Sequence, residues 1–181
     1  VQPKNQQDYK GRLLHLASAF KNLGYDYAST MISFQYDFFP RKEEQHRSAS
    51  VSQNEGASIT DERSFEAYPW QNLEKRDYSH LETVEKDLPE GMRLVTYGPS
   101  GVLENVTNLV GFDNLCFMLY DNPDLVKAVF DKVGSTLLKY YEIACRYPSV
   151  GACIVNDDWG FKTQTLFSLE VMRKHVVPWH R

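Results

Sequence analysis

Leu13, Leu16, Ala17 and Phe20 recur at spacings of three and four along Tyr9 to Leu23, a pattern that predicts an amphipathic helix closed by Gly24. The stretch "YDYASTMIS" that follows is rich in aromatic and β-branched residues and reads as a strand. Beyond Phe34 the chain changes character. No hydrophobic period can be drawn through "RKEEQHRSASVSQNEGASITDERS", so about residues 41–64 are expected to form a long polar loop that acts as a lid. After "FEAYPWQN", the polar "LEKRDYSHLETVEKD" suits a surface helix, and Arg93 to Tyr97 form a short strand that Gly98, Pro99 and Gly101 break into a turn. The clearest helix starts at Asn122 as cap, with Pro123 in its first turn and Asp124 at the positive end of its dipole. Val126, Val129, Phe130, Val133, Leu137, Tyr140 and Ala144 line its apolar face, and Lys127, Lys132 and Lys139 lie opposite. A strand through Cys153 to Asn156 follows, then a loop and a last helix begun by Ser168.

Strands separated by helices of ten or more residues imply parallel pairing through right-handed crossovers, which places the chain in the α/β class. Three or four such strands need helices on one face and something on the other. With no second helical layer in the pattern, that other face is expected to be the inside of a barrel.

Composition narrows the function. The 181 residues, 42% hydrophobic and 24% charged, suit one domain with a core. A net charge of -4, with no block of Lys or Arg, argues against nucleic acid as a partner. No apolar run approaches the roughly 20 residues that cross a bilayer, and "VQPKNQQDYKG" lacks the apolar centre of a signal peptide. No membrane partner and a cytoplasmic location are therefore expected. Cys116, Cys145 and Cys153 fit no CxxC or HxH spacing, so all three are expected to be small core residues, with no metal ligand among them.

The chemistry concentrates in "GACIVNDDWGF", where an apolar strand runs into Asn156, Asp157, Asp158 and Trp159. Successive strand residues point to opposite faces, so the two carboxylates cannot share one pocket while the strand stays regular. Parity groups Ile154, Asn156 and Asp158 on one face and Cys153, Val155 and Asp157 on the other. An amide set against outer helices would lack a partner, which favours Asn156 and Asp158 facing the lumen; if extended geometry stops at Asn156, the choice reverses. The competing role for either aspartate is to cap a turn or accept backbone N–H groups.

"VNDDWGFKTQTLFSLEVMRKHVVPW" resembles the uroporphyrinogen decarboxylase superfamily, in which a strand ends in an Asp-x-Trp-like motif and a later helix opens with Ser-Pro-Glu and runs to a Pro. "TYGPSGVLENVTNLVGFDNLCFMLYDNPDLVKAVFDKV" is similar to the unit that precedes it in that family. Together these span about residues 60–181. The resemblance implies a (β/α)8 TIM barrel, of which this chain supplies about the N-terminal half, as a partial barrel domain over 1–181. A full barrel takes about 250 residues. A half barrel exposes strand edges and its apolar inner layer, so self-association is expected, and the chain alone is expected to be inactive.

The Arg-x-x-Gly-Arg and Phe-Ser-Asp motifs of the decarboxylases proper are missing, Leu169 replaces the usual Pro, and Asp157-Asp158-Trp159-Gly160 is the form common in the corrinoid-linked methyltransferase branch. The resemblance thus implies a zinc- and corrinoid-dependent enzyme that moves a methyl group from a methylcobamide to a thiol. Its zinc ligands, a His-x-Cys and a later Cys, belong to the second half of the barrel. The alternatives are a uroporphyrinogen decarboxylase of porphyrin biosynthesis and a non-catalytic barrel fragment that binds a tetrapyrrole or a partner. A tetrapyrrole or corrinoid ligand, and a corrinoid protein as partner, follow from the same resemblance. Candidate residues are Asp157 and Asp158 as catalytic carboxylates, with Asn156, Trp159, Tyr97, Gly98, Ser100, Tyr68 and Trp70 as substrate-binding positions. Each aromatic also has a core-packing role open to it.

Overall fold

A computed structural model describes residues 6–33, 38–40 and 57–181. The bulk of the expected lid, 41–56, and with it Arg41, His46 and Arg47, lies outside the described residues. In chain order the elements are α1 (Gln6–Asn22), β1 (Tyr27–Thr30), α2 (Glu62–Ala67), a single 3₁₀ turn (Leu73–Lys75), α3 (Ser79–Glu85), β2 (Arg93–Tyr97), α4 (Val102–Val110), α5 (Phe112–Asp121), α6 (Pro123–Ala144), β3 (Val150–Ile154) and α7 (Leu169–Val171), the last continuing through a wide π turn and a 3₁₀ turn to His180. No helix among the described residues is long and apolar enough to cross a membrane.

The chain forms two compact units, one of residues 1–36, 72–99 and 139–156, the other of residues 37–71, 100–138 and 157–181. The first holds the sheet. Its three strands are parallel in the order β1-β2-β3, an open α/β sheet, and no barrel closes among the described residues. Tyr27 to Thr30 pair with Arg93 to Thr96 in unbroken register. Between β2 and β3 the register slips: Leu94 faces Val150 but Val95 faces Ala152, so Gly151 is an extra residue on β3. A Cβ at Gly151 would lie 2.8 Å from Cβ of Arg93, which is why a glycine occupies the bulge.

The pairing sorts the strand residues onto two faces. Ala28, Thr30, Leu94 and Thr96 are buried on one, the side of Cys153. α1, which packs on β1 and on α3, supplies Tyr9, Leu13 and Ala17 to the core of this unit, and α3 supplies Leu81 and Val84. On the other face Tyr27 is 43% exposed, Tyr97 38% and Ile154 47%. β3 is therefore an edge strand with mostly exposed side chains, not the strand buried on both faces that its apolar run suggests. The reason is topological: only one of its hydrogen-bonding edges has a partner among the described residues.

The second unit is helical. α4 and α5 go beyond the elements drawn from periodicity above, where the resemblance alone implies helices; Val102, Leu103, Val106, Leu109 and Val110 do recur at helical spacing, with Glu104, Asn105, Thr107 and Asn108 between them. Glycines bound them, Gly101 before α4 and Gly111, at φ 85°, between the two. Their apolar residues join Val126, Val129, Phe130 and Val133 of α6, and Met172 and Val176 after α7, in one core. Asn122 caps α6 as expected, its Oδ1 accepting from Leu125 N–H at 3.2 Å. The polar loop ends earlier than expected. Ser58 and Ile59 are buried, both of their N–H groups donate to the Leu109 carbonyl, and Asp61 with Ser64 forms a capping box that opens α2.

Two further corrections concern single residues. Cys145 is exposed, while Cys116 and Cys153 are half-buried, so the cysteines are not uniformly core. His80, expected on a surface helix, is buried in α3 against the edge of Tyr9 at 5.1 Å, and His175 is buried beside Phe130 at 5.2 Å.

Candidate functional site

In the first unit the C-terminal ends of the strands are tied by two consecutive tyrosines of α6. Ile32 N–H, just past β1, donates to Tyr140 Oη at 3.0 Å, and Tyr140 O–H donates to the carbonyl of Tyr97 at 2.7 Å. With its one proton spent there, Tyr140 must accept from the Thr96 hydroxyl, 3.1 Å away. Burial holds the Tyr140 phenol well above its usual pKa, so it stays a donor. Tyr141 O–H donates to the carbonyl of Ile154 at 2.9 Å, and burial pushes its pKa up to about 12.

Gly98 makes the second tie sterically feasible. A Cβ there would meet Tyr141 Oη at 2.5 Å. Of the candidate residues in this unit, Tyr97 thus presents its ring on the uncovered face while its carbonyl is held. Gly98 is buried for packing, and Asn156 is exposed.

In the second unit the centre is Asp157, whose side chain is only 1% exposed. Leu103 N–H and Glu104 N–H donate to its two oxygens at 3.0 and 3.1 Å, Trp159 Nε1–H donates at 3.1 Å, and His180 Nε2 lies 3.1 Å from Oδ2. Leu103 and Glu104 are the second and third residues of α4, whose N-cap, Gly101, has no side chain with which to cap it. Asp157 is the cap, supplied from far along the chain, and a carboxylate at this end also complements the helix dipole. Glu104 Oε2 closes the turn by accepting Gly101 N–H at 3.2 Å.

Four N–H donors use the acceptor capacity of one carboxylate. The capping role that competed with catalysis in the sequence is the role this geometry displays. The same carboxylate orients an imidazole: an Nε2–H that donates to Oδ2 leaves the ring's other lone pair on Nδ1, and Trp159 meets the ring in a T-shaped contact at 5.2 Å.

Asp158 is exposed and its Oδ1 accepts Gly160 N–H at 3.2 Å, an Asx turn that starts the 159–166 hairpin closed by Leu166 N–H to the Trp159 carbonyl. Ser100, at φ 68°, holds the left-handed conformation immediately before α4.

Tyr68 and Trp70 pack with ring centroids 4.4 Å apart and planes tilted by 59°, with Tyr68 O–H donating to the Pro40 carbonyl at 2.8 Å and Trp70 Nε1–H to the Phe65 carbonyl at 3.1 Å. Both rings pack in the core of their unit, and burial raises the Tyr68 pKa. The structure thus gathers Asp157 and Trp159, adds His180, and sets Tyr68 with Trp70 in a separate aromatic pair. The sequence carried no signal for His180, 23 positions from its carboxylate.

No three His, Cys, Asp or Glu side chains group as metal ligands among the described residues. Compared with known proteins, the chain matches no family model, no curated protein and no solved structure.

Proposed function

We propose that the chain forms the first βα units of a (β/α)8 barrel resembling the uroporphyrinogen decarboxylase superfamily, in a cytoplasmic enzyme that transfers a methyl group from a methylcobamide to a thiol. The observation that carries this reading is the sequential parallel sheet β1-β2-β3, with Tyr97 and Ile154 on its more exposed face among the described residues of the first unit and the polar segment from Asn156 after the last strand. Barrel enzymes build their sites from such C-terminal strand ends and loops.

The decarboxylase alternative needs cations to hold the propionates and acetates of its substrate. The sequence candidates for such cations, Arg41 and Arg47 of the polar loop, lie outside the described residues, and Tyr97 to Pro99 after β2 and Val155 to Asp158 after β3 carry no Lys or Arg. When bound, zinc would hold the acceptor thiol as a thiolate. Within the first unit, Tyr97 and Asn156 would touch the ligand; within the second, Asp157 fixes the segment that carries Asp158 and Trp159.

The test is an assay of the complete barrel that this reading requires, not of these residues alone, with methylcobalamin and a small thiol, followed by the visible spectrum of the corrinoid. Thiol-dependent demethylation is expected. Release of CO₂ from uroporphyrinogen without demethylation would replace this reading with the decarboxylase, and corrinoid binding without either reaction would leave a binding module.

A further inference from the structure

Cys145 Sγ and Cys153 Sγ stand 3.9 Å apart, across the short connection from α6 to β3. Three backbone bonds make that connection stiff: Arg146 N–H to the Ile143 carbonyl at 3.1 Å, Tyr147 N–H to Ala144 at 3.2 Å and Val150 N–H to Tyr147 at 2.9 Å. The bulge at Gly151 then sets the phase of β3, placing Cys153 level with Thr96, on the buried side of the sheet. Neither thiol takes part in the chemistry proposed above, and Cys116 lies on α5, in the other unit.

We propose that Cys145 and Cys153 are a reversible thiol pair that closes an intramolecular disulfide by exchange with a low-molecular-mass disulfide. Exposure makes Cys145 the attacking sulfur. Its thiolate displaces one thiolate from the small disulfide, forming a mixed disulfide, and the departing thiolate takes up a proton. Cys153 then attacks Sγ of Cys145, the mixed bond breaks, and the Cys153 proton goes to the second departing thiolate. Two protein thiols are oxidised, and one small disulfide is reduced to two thiols.

Burial, and after it the neighbouring Cys145, push the Cys153 thiol up to about 11. Its thiolate fraction therefore rises about tenfold per pH unit below that value, and ring closure accelerates accordingly while the first exchange has its own dependence. The product ties the end of α6 to the edge strand of the sheet.

The full chain is incubated with oxidised glutathione, alkylated without reduction, and read by intact mass and peptide mapping. The expected species has lost two hydrogens, carries no glutathione, links 145 to 153, and is alkylated at Cys116. Cys153→Ser should stop at a stable glutathione adduct on Cys145, and Cys145→Ser should leave Cys153 unmodified. A persistent glutathione adduct on the unmutated chain, a Cys145 that remains alkylatable, or a disulfide between two chains would each overturn the proposal. Cys145→Ser alters an exposed side chain, so its readout survives if the Cys153 variant fails to fold.

Discussion

Gly101 and Asp157 compete for one volume: a Cβ on Gly101 would fall 2.1 Å from both Cβ and Cγ of Asp157. The helix that needs a cap has given up its own side chain so that a distant carboxylate can reach the exposed N–H groups. Gly101→Ser alone should therefore destabilise the protein, because the new side chain displaces the aspartate. Asp157→Ala should cost about 2–3 kcal/mol, from a lost cap and from stranded donors on Trp159 and α4. In the Asp157→Ala background the sign at 101 should reverse, because the extended backbone of Gly101 suits a serine cap. Urea titrations of the two single variants and the double variant measure this; additive losses would contradict the shared volume.

Tyr140 and Tyr141 make similar bonds in different surroundings. Tyr140→Phe removes the acceptor for a buried N–H and the donor for the Tyr97 carbonyl, and should cost about 1–3 kcal/mol. Tyr141→Phe removes one bond at a half-buried position and should cost less, about 1 kcal/mol. Chemical denaturation of the two variants gives the comparison, and equal losses would show that Tyr140 is not the hub described here.

Burial holds the pKa of His80, and of His175, below the ordinary 6.5. At His175 the positive charge of Lys174 adds to burial; at His80 the backbone of Ile32 and the carboxylate of Asp77 oppose it. A depressed base binds its proton more readily in the unfolded chain. Stability should thus be full above about pH 6.5 and fall as pH drops below it, each histidine contributing up to about 1.4 kcal/mol per pH unit until its folded pKa is reached. Melting temperatures across pH 7.5 to 5 should show this fall, and a His80→Phe, His175→Phe variant should flatten it.

Trp179 lies flat against Gly134 of α6, where a Cβ would meet the indole at 2.2 Å. Gly134→Ala gains helix propensity of about 1 kcal/mol in isolation, yet it should destabilise the helical unit because the ring is displaced. Trp179→Ala in the same chain should remove that penalty. Thermal unfolding of the four combinations measures the coupling, and a stabilised Gly134→Ala single variant would refute the contact.

The sequence made legible what depends on neighbours along the chain. α1 ends at Asn22, two residues before Gly24 (φ 88°), β2 matches Arg93 to Tyr97, and α6 begins at the Asn122-Pro123 signal, because periodicity, a positive φ and a cap are local properties. Hidden were properties that depend on which way an element turns. His80 lies in a polar-looking stretch whose few apolar residues all point inward, and Cys145 sits at a helix end whose apolar neighbours do not cover it. Asp157 could be read as a polar residue at a strand end, but its partners lie 54, 53 and 23 positions away, beyond the reach of any spacing rule.

The single extra residue in β3 acts as a phase shifter. If Gly151 instead paired with Val95, every later side chain of the strand would turn to the opposite face, exchanging the environments of Cys153 and Ile154 and separating the two thiols without altering either. One glycine thus decides which residues of the "CIVN" run the sheet keeps and which it presents.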